Sequence, residues 1–242
     1  MTATVLQLSD THLVGGPRDR HPDERLGAAL AAVRDREVHP DLVVLSGDLT
    51  DDASEAACRR IASLLAPLDV PILAIPGNHD VSSEVEAVFG PPGPVELDGW
   101  RVLGIASNVP GEIWGSVDSR TVLSGLDTLD ERPTALAIHH PLASPSTHPW
   151  FQLAGAASLL EGLAARPHVR VVLSGHLHEP FNRQIGDLSL LGAPSTLYAI
   201  RHQGQRWNKD ACVLTGARLL YLGEGGAWRT ELVSTGGVLP AP

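Results

Sequence analysis

Along the first half of the chain, short apolar runs alternate with longer stretches in which apolar residues recur every three or four positions. Residues 5–8, 42–45 and 70–75 are short, rich in Val, Leu and Ile, and bounded by Ser, Asp, Pro or Gly, which predicts three strands. Between them, residues 22–38 carry Leu26, Leu30 and Val33, and residues 52–66 carry Ile61, Leu64 and Leu65, each set at helical spacing. The order strand, helix, strand, helix, strand predicts a largely parallel sheet with crossover helices. Residues 95–107 read as a hairpin turning near Asp98-Gly99, and residues 135–138 and 169–173 as two strands flanking a helix over 154–165. From residue 181 the pattern changes to successive short strands at 181–185, 188–191, 211–214, 219–222 and 228–233, which predicts an antiparallel sheet. No repeat or long linker interrupts this order, so one domain over residues 1–235 is expected, with the Gly- and Pro-rich residues 236–242 as a disordered tail.

Composition narrows the classes of function. A chain of 242 residues can bury a substantial core without staples. The net charge is −10 and no basic block occurs, which argues against a surface for nucleic-acid polymers. No run of about 18 apolar residues is present, so no membrane span is expected. The N-terminal residues lack the basic and apolar regions of a secretory leader, which makes the cytoplasm the expected location. Cys58 and Cys212 form no C-x-x-C pair and read as two reduced thiols.

The chemistry lies in five polar clusters that directly follow predicted strands: Asp10-Thr-His12, Gly47-Asp48-Leu-Thr-Asp51, Gly77-Asn78-His79-Asp80, His139-His140-Pro141 and Gly175-His176-Leu-His178. Ligands of open α/β sheets gather at the carboxyl ends of strands. Five strands would thus deliver Asp, Asn and His, without sulfur, to one edge. That donor mixture suits divalent Mn, Fe, Zn or Co rather than a structural thiolate site. If the backbone stays extended, Asp10 and His12 point to one side, as do His176 and His178. A carboxylate can bridge two ions, and Asp48 stands centrally in the order. Any one post-strand Asp could simply cap a helix or a turn; five matching clusters make that reading untenable together.

This ordered set resembles the calcineurin-like metallophosphoesterases, from about residue 5 to residue 180. Ser9-Asp-Thr-His-Leu13, Asp23-Glu-Arg-Leu-Gly27 and Leu173-Ser-Gly-His-Leu-His178 look like the class III cyclic nucleotide phosphodiesterase branch. The resemblance implies a four-layer α-β-β-α sandwich of two mixed sheets. It implies that Asp10, His12 and His178 hold one of two divalent or mixed-valence metal ions, that Asn78, His139 and His176 hold the other, and that Asp48 bridges them. His79 would act on the leaving oxygen with Asp51 orienting its ring, and Asn78, His79 and His140 would border the phosphate. In such sites a hydroxide shared by two ions about 3.5–4 Å apart attacks phosphorus. The implied substrate is a small phosphate ester, with a 3′,5′-cyclic nucleotide such as cAMP as the branch's choice. A glycerophosphodiester, a nucleotide-linked lipid, a phosphomonoester or a non-catalytic scaffold are the alternatives. The resemblance also allows a homodimer, which nothing in the sequence itself decides. Residues 141–149 are the first candidate for choosing substrate by position. His148 and His202 lie in segments that could approach the pocket, and Trp114, Trp150 and Trp207 read as packing or rim residues.

Overall fold

The structure is a computed structural model that describes residues 3–16, 21–210 and 212–236. Strand β1 (Ala3–Leu8), helix α1 (His21–Arg34), strand β2 (Leu42–Ser46), helix α2 (Glu55–Leu65) and strand β3 (Ile72–Ile75) form the predicted first half. They are followed by α3 (Ser82–Phe89), β4 (Val95–Leu97), β5 (Trp100–Ile105), β6 (Gly115–Ser116), α4 (Ser119–Leu126), β7 (Thr134–Ile138), β8 (Leu153–Ala154), α5 (Ala156–Ala164) and β9 (Val169–Ser174). The rest is β10 (Phe181–Ile185), β11 (Leu188–Gly192), β12 (Ile200–Gln203), β13 (Arg206–Lys209), β14 (Thr215–Leu222) and β15 (Trp228–Gly236).

Two mixed sheets result, in the orders β15-β14-β1-β2-β3 and β10-β11-β9-β7-β5-β4. β1, β2 and β3 pair in parallel, as do β5, β7, β9 and β11. These central strands are buried on both faces, which is why they read as nearly unbroken apolar runs. Alternate residues face opposite ways. Val5, Val44, Leu73 and Leu220 of the first sheet pack against Trp100, Ala135, Val171 and Leu191 of the second. Their chain neighbours Leu6, Val43, Ala74 and Leu219 face Leu26 of α1, Ile61 of α2 and Val85 of α3. On the far side, Leu136, Val172 and Leu190 face Leu126 of α4 and Leu159 of α5. Three apolar seams therefore separate four layers, and the expected α-β-β-α sandwich is the observed one.

The second half departs from its expectation. Its strands do not join in one antiparallel sheet; only β12 and β13 pair apart from the two large sheets. β14 pairs antiparallel with β1 and closes the first sheet, while β11 pairs parallel with β9 and extends the second. Local period-2 patterning marks a strand but carries no information about its neighbour. The strand expected over 211–214 is a turn and an isolated bridge at residues 212–213, with β14 beginning at Thr215; Ala211 lies outside the described residues. Helix α1 ends at Arg34, short of the expected residue 38, and α3 and α4 were not anticipated. The hairpin at Asp98-Gly99 forms as expected, with Gly99 at φ 72°. Gly236 ends β15, and the remainder of the expected tail lies outside the described residues.

Polar side chains tie the sheets together inside the apolar seam, among them Gln7 of β1, which donates to the Ser174 carbonyl of β9 at 3.0 Å. Trp100 on β5 is fully buried and donates its indole N–H to the Gly223 carbonyl after β14, at 2.7 Å. Arg218 on β14 is also buried and donates to the Gly192 and Phe181 carbonyls of the other sheet. Burial lowers its pKa to about 10. Trp100→Phe keeps an aromatic ring but leaves the Gly223 carbonyl without its donor. It should lower unfolding free energy by about 2 kcal/mol, read as a lower urea midpoint with an unchanged slope.

Candidate metal centre

The carboxyl ends of β1, β2 and β3 in one sheet and of β7 and β9 in the other meet at one edge. The crossing is made by hydrogen bonds between sheets: the His176 N–H donates to Asp10 Oδ1 at 3.0 Å, and His139 Nδ1–H donates to the Ser46 carbonyl at 2.8 Å. Within the first sheet the loops keep pairing beyond the strands, Asp10 N–H to the Gly47 carbonyl and His12 N–H to the Asp48 carbonyl, both at 3.0 Å.

One sequence inference was wrong in its geometry. Asp10, His12, His176 and His178 do not lie on extended backbone; their φ angles are 53°, 47°, 69° and 51°. Among the described residues, eight non-glycine positions have positive φ, and five of them are these four and Asp48. Left-handed backbone costs about 1–3 kcal/mol per such residue and clusters at functional sites. Alternation therefore does not aim these side chains; tight turns do. Two glycines make the turns possible. A Cβ at Gly47, which has φ 94°, would strike the His139 ring, and a Cβ at Gly77 would strike Asp48.

Ligand atoms of Asp10, His12, Asp48 and His178 lie within 4.8 Å of one another, and a second group joins His139, His140 and His176 within the same limit. Asp48 links the two: its Oδ1 is 3.4 Å from His139 Nε2 and its Oδ2 is 4.0 Å from His12 Nε2. The Asn78 oxygen lies 3.2 Å from His139 Nε2. All of these side chains except the half-buried Asn78 are buried.

The partners of each ring fix its tautomer. His178 Nδ1 donates to the Tyr198 carbonyl at 2.9 Å, and His12 Nδ1 donates to the Asp51 carboxylate at 3.3 Å. Both Nε2 atoms are then bare lone pairs, and they face each other at 3.2 Å. His139 uses Nδ1 on the Ser46 carbonyl, so its Nε2, the atom left to bind a metal, faces the oxygens of Asn78 and Asp48. His176 donates Nε2–H to the Trp150 carbonyl at 2.9 Å, which leaves Nδ1 as its lone pair. Converging lone pairs repel unless a cation lies among them. Asp10 adds a buried carboxylate oxygen, Oδ2, with no hydrogen-bond partner. The donor set thus fits a pair of divalent ions, with each histidine oriented through its other nitrogen.

Electrostatics agree. Burial raises the Asp10 carboxyl to about 6 against the opposing pull of His139, and Asp48 adds to the rise. Burial works the same way on Asp48, but His139 overrides it and holds that group well below the usual carboxylate range. Burial would lower His139, yet Asp48 beside it lifts the ring to about 9. His176 and His178 are pushed well down by burial and by neighbouring rings.

The remaining expected residues divide. His79 is 41% exposed, its Nδ1 is 3.3 Å from Asp51 Oδ1, and its backbone N–H donates to Asp48 Oδ1 at 2.9 Å. Asp51 holds both His79 and His12 on the same oxygen. His140 differs from its expected place beside a substrate. It is fully buried, its Nε2–H donates to the Ile113 carbonyl at 3.1 Å, and its Nδ1 is 2.8 Å from the Ser107 hydroxyl. Neither nitrogen is free, and burial lowers its pKa to about 3. Its ring instead packs against His176 at 4.4 Å and His139 at 4.8 Å.

Three contributors escaped sequence reasoning. Asp80, the last residue of the G-N-H-D cluster, accepts from the N–H groups of Leu49, Thr50 and Gly77 and so clamps two ligand loops together. Its place in the cluster was the one signal for it. Tyr198 supplies the His178 acceptor and packs on that ring at 4.4 Å; Trp150 supplies the His176 acceptor. Both hold a ring through a backbone carbonyl, which any residue type could provide, so no signal marks that role.

The family named Calcineurin-like phosphoesterase matches residues 3–180. The chain belongs to the calcineurin-like phosphoesterases. Over its length it is 32% identical to a probable cyclic nucleotide phosphodiesterase of Synechococcus sp., with 96% of this chain and 92% of that protein covered. It is 31% identical to the 3′,5′-cyclic adenosine monophosphate phosphodiesterase CpdA of Escherichia coli K12, covering 94% and 88%. A dimetal phosphatase from Danio rerio shares the fold at a TM-score of 0.62 and 14% identity, covering 96% of this chain and 99% of that one. As a calcineurin-like phosphoesterase the chain is a hydrolase of phosphate esters whose clustered His and Asp residues suit two metal ions. No helix among the described residues is long and apolar enough to cross a membrane.

Metal loading has a measurable proton balance. A ring lifted to about 9 carries a proton below that pH, and a metal ligand must give it up. Adding Zn²⁺ or Mn²⁺ to metal-stripped protein at pH 7 should therefore release protons into a weak buffer, and affinity should fall as the pH drops. An indicator-dye titration measures the release; no release at pH 7 would contradict the charged state of His139.

Proposed function

We propose that this calcineurin-like phosphoesterase opens 3′,5′-cyclic nucleotides, cAMP foremost, to 5′-nucleotides. The observation that carries the chemistry is the convergence of the Nε2 atoms of His12, His139 and His178 on the Asp10 and Asp48 carboxylates. The choice of substrate is supported by the cyclic nucleotide phosphodiesterases that match nearly the whole chain.

In this reading Asp10, His12 and His178 hold one ion, Asn78, His139 and His176 the other, and Asp48 bridges them. Bound there, Mn, Fe, Zn or Co would supply Lewis-acid charge for phosphate oxygens and acidify water at neutral pH. The protein's own residues do the rest. The Nδ1 partners of His12, His139 and His178 keep their lone pairs turned inward. His79, open to solvent above the buried rings, gives a proton to the departing oxygen. Asp51 fixes the His79 ring with Nδ1 toward the carboxylate, leaving Nε2 for the substrate. Asp51 is itself held below the usual carboxylate range, first by its hydrogen bond from His12, so it stays an acceptor. His140 serves as a buried support for His139 and His176.

Both sheets contribute ligands, which supports one catalytic domain over residues 1–235. The free thiols Cys58 and Cys212 suit the cytoplasm. A homodimer is the assembly proposed, and sedimentation would test it.

His79→Ala should lower kcat by about a hundredfold or more while metal content, measured by mass spectrometry of the protein-bound ions, stays at the wild-type value. Equal loss of metal and activity would remove His79 from the chemistry. Turnover of cAMP, cGMP, a glycerophosphodiester and p-nitrophenyl phosphate by the metal-loaded chain tests the substrate. Turnover of cAMP no faster than that of the monoester would overturn the cyclic nucleotide reading, and no turnover of any ester would favour a scaffold.

A further inference from the structure

A cavity of about 400 Å³ opens beside the metal centre, with His12 and Asp51 at its inner end. Its other walls include Pro22, Leu197 and Tyr198, and the ammonium of Lys209. That volume can hold a small organic group, and its lining mixes apolar with polar side chains in similar share.

Lys209 is the only lysine of the chain. Its Nζ lies 3.7 Å above the Tyr198 ring, and among the described residues no carboxylate is paired with it. Asp210, its chain neighbour, is engaged by Arg201 at 2.6 Å. Lys209 sits on β13 of the two-stranded hairpin β12–β13, which belongs to neither large sheet. Trp207, two residues earlier on the same face of the strand, packs at 5.8 Å from Trp150 and 5.9 Å from Phe151. His202, opposite Trp207, donates Nε2–H to the Leu177 carbonyl, inside the G-H-x-H loop. The hairpin is thus anchored over the metal-binding loop and holds an unpaired cation at the cavity.

We infer that this cavity receives the organic half of the phosphate ester and that Lys209 is a positioning residue which donates hydrogen bonds to it. The inference rests on the phosphodiesterase reading proposed for the metal centre. The cavity wall includes His12, which belongs to the group of Asp10, His12, Asp48 and His178. A phosphate ester held at that group would extend its organic half into the adjoining space. The apolar walls suit an uncharged heterocycle or sugar ring, and an ammonium with three N–H groups suits the ring nitrogens, carbonyls and hydroxyls of a nucleoside.

The test uses the whole chain loaded with zinc. Reductive methylation with ¹³C-formaldehyde labels Lys209 and the N-terminal amine alone, and Lys209→Met assigns the lysine signal. Addition of 5′-AMP should shift that signal, and inorganic phosphate should not. In kinetics Lys209→Met should raise KM for cAMP about tenfold, the effect of one lost charge-assisted hydrogen bond. It should leave kcat within about twofold and the inhibition constant of inorganic phosphate unchanged. Lys209→Arg should restore most of the loss in KM. A signal unmoved by 5′-AMP, or a phosphate constant that rises as much as KM, overturns the inference. Hydrolysis of cAMP with an unmoved signal would sink the cavity assignment alone. A shifted signal without any cAMP turnover would sink the reaction reading and leave the cavity standing.

Discussion

The direction in which three imidazole rings present their lone pairs constrains this molecule more than any other feature. His12, His139 and His178 each spend Nδ1–H on a protein oxygen, from Asp51, Ser46 and Tyr198, and so each must turn its Nε2 toward buried carboxylates. A site of that kind is electrostatically unfavourable until positive charge enters it. Without a metal, one proton on His139 serves in part, which is why Asp48 lifts that ring to about 9 despite its burial. Two cations serve fully, and the arrangement is then a pre-set receptor for anionic esters.

Holding those rings in place shapes the fold around them. Left-handed backbone at Asp10, His12, Asp48, His176 and His178 is strain that the surroundings must offset. The four-layer core, with three apolar seams, provides the rigidity. Asp80 fastens the second and third ligand loops by accepting three backbone N–H groups, and Gly47 and Gly77 let side chains from other loops come within contact. Because the ligands come from both sheets, the face-to-face packing of the sandwich and the integrity of the centre are one problem. Trp100 and Arg218, which bond from one sheet to the other, bear on both.

A chain with a net charge of −10 acts on anionic substrates because the field that matters is local. Metal ions would reverse the sign within the buried cluster, and the single lysine adds a positive point on the cavity wall. The hairpin that carries it also carries Trp207 against Trp150, whose carbonyl holds His176. The loop over residues 141–149 and the hairpin are joined through the Gly204 carbonyl, which accepts from Thr147 N–H at 3.0 Å. The segment expected to select substrate is therefore coupled to the segment of His202, which was also expected to approach the pocket.

The sequence by itself determined where the expected donor residues stand, at the ends of strands. Asp10, His12, Asp48, Asn78, His139, His176 and His178 each stand just after an apolar run, and short-range patterning is what a single chain displays most directly. It also determined the parallel core, since alternating strands and helices leave few topologies. Tertiary structure alone decided the rest. Period-2 strands do not name their partners, so the fate of β11 and β14, in different sheets, was invisible. The aim of Asp10 and His12 came from left-handed turns rather than extended alternation, because loop pairing with Gly47 and Asp48 bends the chain there. His140 was withdrawn from the expected substrate wall by Ser107 and Ile113, residues about thirty positions away. The meeting of Lys209 with Tyr198 depends on a hairpin folding back over a distant loop. Residue type and local period are written in the chain, whereas tautomer, ring direction and cavity shape arise only from contacts between segments far apart in it.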